Sequence, residues 1–115
     1  MRKVKITVVR TLSAKDLHGD IPANLSSKVG CSANLTPTCQ VFVEGQEFIW
    51  PSGGNAAPEG FRCAGAWDDI HRHITVLPLG GKHYWMNEEG KYLTCCTDGF
   101  RPVIFRLDRL EEETK

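Results

Sequence analysis

From Val4 to Arg10 the chain alternates, with Val4, Ile6 and Val8 on one side and Lys5 and Thr7 on the other. A period of two predicts a half-buried strand. Periodicity then disappears over residues 11–38, which are rich in Ser, Asn, Gly, Pro, Asp and Thr. A stretch of that length without structure often marks a functional loop. Ser13 is a fair N-cap for a short helical turn over Ala14 to His18 within it. Between Gln40 and Trp50, Val41-Phe42-Val43 and Phe48-Ile49-Trp50 lie on either side of Glu44-Gly45. Strand formers around a glycine turn predict a hairpin or a sharp strand entry. Residues 51–60, PSGGNAAPEG, are turn chemistry throughout.

The period then changes. Trp67, Ile70, Ile74 and Leu77 recur at spacings of three and four. This apolar stripe predicts a helix over Ala64 to Leu77. Asp68 and Arg72 form an i,i+4 pair on its polar side, and Pro78 with Gly80-Gly81 ends it. Tyr92 to Thr97 and Pro102 to Leu110 read as two strands around the turn Asp98-Gly99, with Val103, Phe105 and Leu107 on one face of the second. The closing EEETK reads as a frayed, solvated tail over 111–115. The order of strand, long loop, hairpin, helix and two strands predicts an α+β domain. Its architecture is a small, mostly antiparallel sheet with one main helix packed on it.

Composition narrows the class without naming a function. At 115 residues the chain is the size of one domain, long enough to bury a core without obligatory staples. Its 41% apolar and 24% charged residues are those of an ordinary globular protein. Lys+Arg and Asp+Glu both number 14. No basic excess points to nucleic acid. A chain near neutrality is poorly protected by charge against self-association, which points to a homo-oligomer or a protein partner. The opening MRKVKITVVRTL lacks the uninterrupted apolar stretch of a secretory signal, and no apolar run reaches the roughly 20 residues of a spanning helix. Five cysteines without an export signal are expected to be reduced thiols in a cytoplasm.

Those thiols are the first candidates for chemistry. Cys31 and Cys39 lie in or beside the long loop, Cys63 precedes the helix, and Cys95-Cys96 lie in a strand. No C-x-x-C spacing is present, yet Cys31, Cys39, Cys63 and one of the adjacent pair could converge as four soft ligands. Such a set suits zinc or an iron–sulfur cluster. The competing reading is simple burial, since free cysteine packs as a small hydrophobe. Neighbours on a strand point to opposite faces, so Cys95 and Cys96 cannot both enter one site. Cys63 has the best case for reactivity: a thiol at a helix start faces unsatisfied N–H groups and the positive end of the dipole, and Arg62 stands beside it.

His71 and His73 are two apart on the helix and share no face, which makes them poor joint ligands. His71 shares the polar side with Asp68, and His73 sits at the edge of the apolar stripe. His83 follows Gly80-Gly81 and precedes Tyr84-Trp85, a setting that suits a ligand-binding loop. Trp67 is expected in the core, whereas Trp50 and Trp85 flank turn-rich segments where an aromatic is more exposed. Gly80-Gly81-Lys82 is too short for a phosphate loop, and no G-x-S-x-G, H-E-x-x-H or dinucleotide fingerprint occurs.

Three segments, CQVFVEGQEF (39–48), PEGFRCAGAWDDI (58–70) and CCTDGFRPVIFRLDRL (95–110), together with the opening KVKITVV, carry a resemblance. The chain resembles a family of short bacterial and archaeal proteins to which no activity is assigned. The Cys-Cys-Thr-Asp-Gly run followed by Arg-Pro is its most specific element. Gln40, Gln46 and Gly65 stand where family members more often carry proline, aspartate and tryptophan. The resemblance implies a shared thiol site at Cys39, Cys63, Cys95 and Cys96, and brings no function with it.

Three functions remain open from the sequence. The first is a cysteine-centred binding or redox module. The second is a small hydrolase, lyase or isomerase with Cys63 or Cys96 as nucleophile, His71 or His83 as base and Asp98 as orienting group. The third is an accessory subunit whose exposed aromatics meet a partner.

Overall fold

The computed structural model describes residues 2–13, 38–51, 56–97 and 101–111. Four strands form one sheet: β1 (Val4–Thr11), β2 (Glu47–Trp50), β3 (Lys91–Cys95) and β4 (Val103–Arg109). Their order is β2-β1-β4-β3, and every neighbouring pair is antiparallel. One helix, α1 (Ala64–Val76), runs into a 3-10 turn at Leu77–Leu79. The α+β class and the helix-on-antiparallel-sheet architecture are as the periodicities predict. No helix among the described residues is long and apolar enough to cross a membrane.

The centre of the sheet pairs β1 with β4, strands from opposite ends of the chain. Both are read correctly by alternation because one face of each is wholly buried: Val4, Ile6 and Val8 on β1, and Val103, Phe105 and Leu107 on β4. The register slips between Val8 and Arg10, which places a bulge in β1. Ala66, Trp67, Ile70 and Ile74 face the core from α1, and Leu77 continues the same stripe.

The Gln40–Trp50 segment forms a strand entry, not a hairpin. Residues 41–43 make no strand, and Glu44-Gly45 turns the chain so that β2 pairs with β1. Gly45 takes φ +87°, its N–H donates to the Val8 carbonyl at 2.8 Å, and the Val8 N–H donates to Gln46 at 2.8 Å. Phe42 is consequently spent on the core. Its ring lies 5.0 Å from Phe61 and meets Phe105 edge-on at 5.2 Å. Phe61 also meets Phe48 and Trp67 edge-to-face, so one aromatic cluster joins β2, β4, α1 and the loop before it.

Trp50 is a correction. It is only 2% exposed, because alternation along β2 turns Phe48 and Trp50 inward and Glu47 and Ile49 outward. Turn-rich flanks say nothing about which face a strand residue takes. The helix end follows its sequence signals: Pro78 enters the 3-10 turn, Gly80 adopts φ +84°, and the Gly81 N–H donates to the Val76 carbonyl at 3.0 Å.

Candidate functional site

The described thiols are spread over the fold. Cys63 is the N-cap of α1, as its position suggests, and its Sγ accepts the Ala66 N–H at 3.3 Å. Cys39 is buried and its Sγ accepts from the Val41 N–H at 3.4 Å. Cys95 is exposed, while Cys96 is half-buried against the core with Sγ accepting from the Val103 N–H at 3.4 Å. The strand thus sends the two adjacent thiols to opposite sides. Among the described residues no three His, Cys, Asp or Glu side chains gather into a group able to hold a metal ion. Cys31 and Asp98, with the Asp98-Gly99 turn and the expected helical turn at Ala14 to His18, lie outside the described residues.

The histidines separate differently. His71 lies against Trp67, ring centroids 5.0 Å apart, and its Nε2 is buried without a hydrogen-bond partner among the described residues. Neither His71 nor His83 is hydrogen-bonded to a thiol among the described residues: Cys63 accepts from Ala66, and His83 bonds to His73.

What the fold does bring together is an imidazole pair. The last turn of α1 supplies His73, the loop after the 3-10 turn supplies His83, and His73 Nδ1 lies 3.1 Å from His83 Nε2. Tyr92 of β3, turned inward by strand alternation, forms the floor: His83 stacks on it at 3.7 Å and 16°, and His73 lies at 4.4 Å. Trp85 packs beside both, 5.4 Å from His83 and 5.6 Å from Tyr92, and Tyr84 meets Trp85 edge-on at 4.6 Å. The floor is buried and the rim is open, with Trp85 54% and Tyr84 91% exposed. A backbone hydrogen bond from Met86 to the His83 carbonyl at 2.9 Å closes the loop that carries these rings.

Hydrogen-bond chemistry fixes the tautomers. Arg72 Nε lies 3.3 Å from His73 Nε2, and a guanidinium only donates. His73 Nε2 is therefore the acceptor, and a neutral His73 carries its proton on Nδ1. That proton is donated to His83 Nε2, which leaves the proton of a neutral His83 on Nδ1. Both rings are held neutral near pH 7. His73 is pushed below its ordinary value by burial, then by the charge of Arg72 and by His83, and His83 by burial. His83 Nδ1 is buried and has no hydrogen-bond partner among the described residues.

Of this group, the sequence singled out His83, Tyr84 and Trp85 as a loop suited to a ligand. Tyr92 and Arg72 were missed as members. Tyr92 was detectable, since the alternation that turns Leu93 outward turns Tyr92 in. Comparison with known protein families, curated proteins and solved structures gives no match.

Proposed function

We propose that this chain is a small binding module that takes a flat-ringed small molecule at the corner built by His73, His83, Trp85 and Tyr92. The observation that carries the reading is the buried Nδ1 of His83, which has no hydrogen-bond partner among the described residues. A buried donor without an acceptor costs about 1–3 kcal/mol. A ligand acceptor would relieve it. Exposed Trp85, 5.4 Å from the His83 ring, and Tyr84 against Trp85 offer broad ring surfaces for a planar ligand. The thiols serve the fold in this reading: three of them accept backbone N–H groups, and His73 and His83 pair with one another instead of with a thiol.

The reading is tested by titrating the full chain with benzoate, benzamide and indole while following side-chain NMR signals. At least one probe should shift His83, Trp85 and Tyr92 together, and Trp85→Ala should remove the response. If none of the three probes perturbs these residues, the proposal fails.

A further inference from the structure

The geometry points to an aromatic carboxylate as the ligand class, received by the Nδ1–H of His83 at the end of a one-directional hydrogen-bond chain from Arg72. This inference rests on the binding reading above and adds the ligand's charge to it. A neutral histidine ordinarily offers one donor and one acceptor, and either can face a ligand. Here the choice is removed. Arg72 donates to His73 Nε2 at 3.3 Å, and His73 Nδ1 then donates to His83 Nε2 at 3.1 Å. Only an N–H remains at the far end of His83.

Successive hydrogen bonds pointing the same way polarise one another, so the terminal donor is strengthened by the guanidinium two bonds away. Lys82, exposed and next in the chain to His83, adds a second positive charge near the site. A carboxylate oxygen gains more from such a donor than a neutral carbonyl does, because hydrogen bonds to ionised partners are roughly twice as strong. The rings set the other half of the specificity. A flat ring attached to the carboxylate can lie against Trp85, whose exposed side chain borders His83 at 5.4 Å.

The same proton order argues against a metal ion here. The spacing of His73 Nδ1 and His83 Nε2 would suit two ligands of one cation, but a proton lies between them. Arg72 fixes that proton in place, so a cation would have to expel it beside a guanidinium.

The deciding experiment compares benzoate with its neutral isostere benzamide on the full chain at pH 7.5, read by His83 and Trp85 NMR shifts and by tryptophan fluorescence. Benzoate should bind about tenfold tighter. His83→Leu should abolish the preference, whereas His83→Asn, which keeps a side-chain N–H near the place of Nδ1, should retain part of it. Arg72→Gln should weaken benzoate binding several-fold and benzamide binding by less, narrowing the preference. Equal binding of the two probes by the unaltered protein would overturn the carboxylate assignment while leaving the binding reading standing. Binding of neither would overturn the carboxylate assignment, and silence of indole as well would overturn the binding reading with it. Zinc chloride shifting both imidazoles while benzoate does not would overturn the proton order and with it the inference.

Discussion

Asp69 Oδ2 accepts the backbone N–H of Thr97 at 2.7 Å, a short charge-assisted bond that ties the middle of α1 to the chain leaving β3. The two residues lie 28 apart in sequence, and their contact fastens the helix to an edge strand. It also holds the segment that contains Cys96.

Asp69→Ala should therefore destabilise the fold by about 1–2 kcal/mol, the range for a hydrogen bond to a charged group at a partly open site. Asp69→Asn, which keeps an acceptor oxygen, should lose less. Urea denaturation measures the difference, and amide exchange of Thr97 locates it. Unchanged Thr97 protection in the alanine variant would rule the contact out.

Cys63 offers a direct check on what the thiols do. If its Sγ works as a helix cap, Cys63→Ala should cost about 1 kcal/mol, while Cys63→Ser should hold stability near that of the original. A reactive thiol with no structural part would show the two variants equally stable. Thermal melts of the two variants under reducing conditions decide it.

What the sequence revealed and what it concealed divide along a physical line. Val4, Ile6 and Val8 announce β1, and Trp67, Ile70 and Ile74 announce α1, because one buried face imposes a period on the residues themselves. Trp50 was misjudged because its neighbours after residue 50 are turn formers, and turn chemistry carries no information on which way a strand residue points. Thr97 and Asp69 carry no joint signal at all. His73 and His83 lie ten residues apart across a helix end, where neither the helical nor the strand period applies. Their meeting depends on the angle at which Gly80 and Gly81 send the chain back. The spread of the thiols was hidden for a related reason: convergence of distant cysteines is a property of the fold, and no spacing rule encodes it.

That return angle gives a third prediction. A Cβ on Gly81 would lie 2.8 Å from the Val76 carbonyl oxygen, closer than real Cβ contacts come, so the backbone would have to shift. Gly81→Ala should destabilise by about 1–3 kcal/mol, as overpacking does. It should also move His83 off Tyr92, visible as loss of the ring-current shifts expected from their 3.7 Å stack. A variant that loses stability yet keeps those shifts would separate the turn from the site.

Acid should lower the stability of the protein in two distinguishable steps. His73 and His83 both titrate below the ordinary imidazole value of 6.5, His73 through burial, Arg72 and His83, and His83 through burial. The unfolded chain, with ordinary histidines, then binds more protons than the folded one just below that value, so stability rises with pH there. The contribution is fully present above about 6.5 and is lost as pH falls through the folded-state values. Asp108 behaves in the same sense at lower pH. Burial pushes its carboxyl up, but hydrogen bonds from Lys91 at 3.0 Å and Arg106 at 2.9 Å, with their charges, outweigh this and hold it below 3.8. Its contribution is present above 3.8 and is lost as pH falls through its depressed value. Urea midpoints measured from pH 8 down to pH 3 should stay level to about pH 7, decline below 6.5, and decline again below 4. His83→Asn should reduce the first decline to the part that His73 contributes and leave the second, and Asp108→Asn should flatten the second and leave the first. A profile level from pH 7 to pH 5 in the unaltered protein would show that the imidazole pair is not held neutral by the fold.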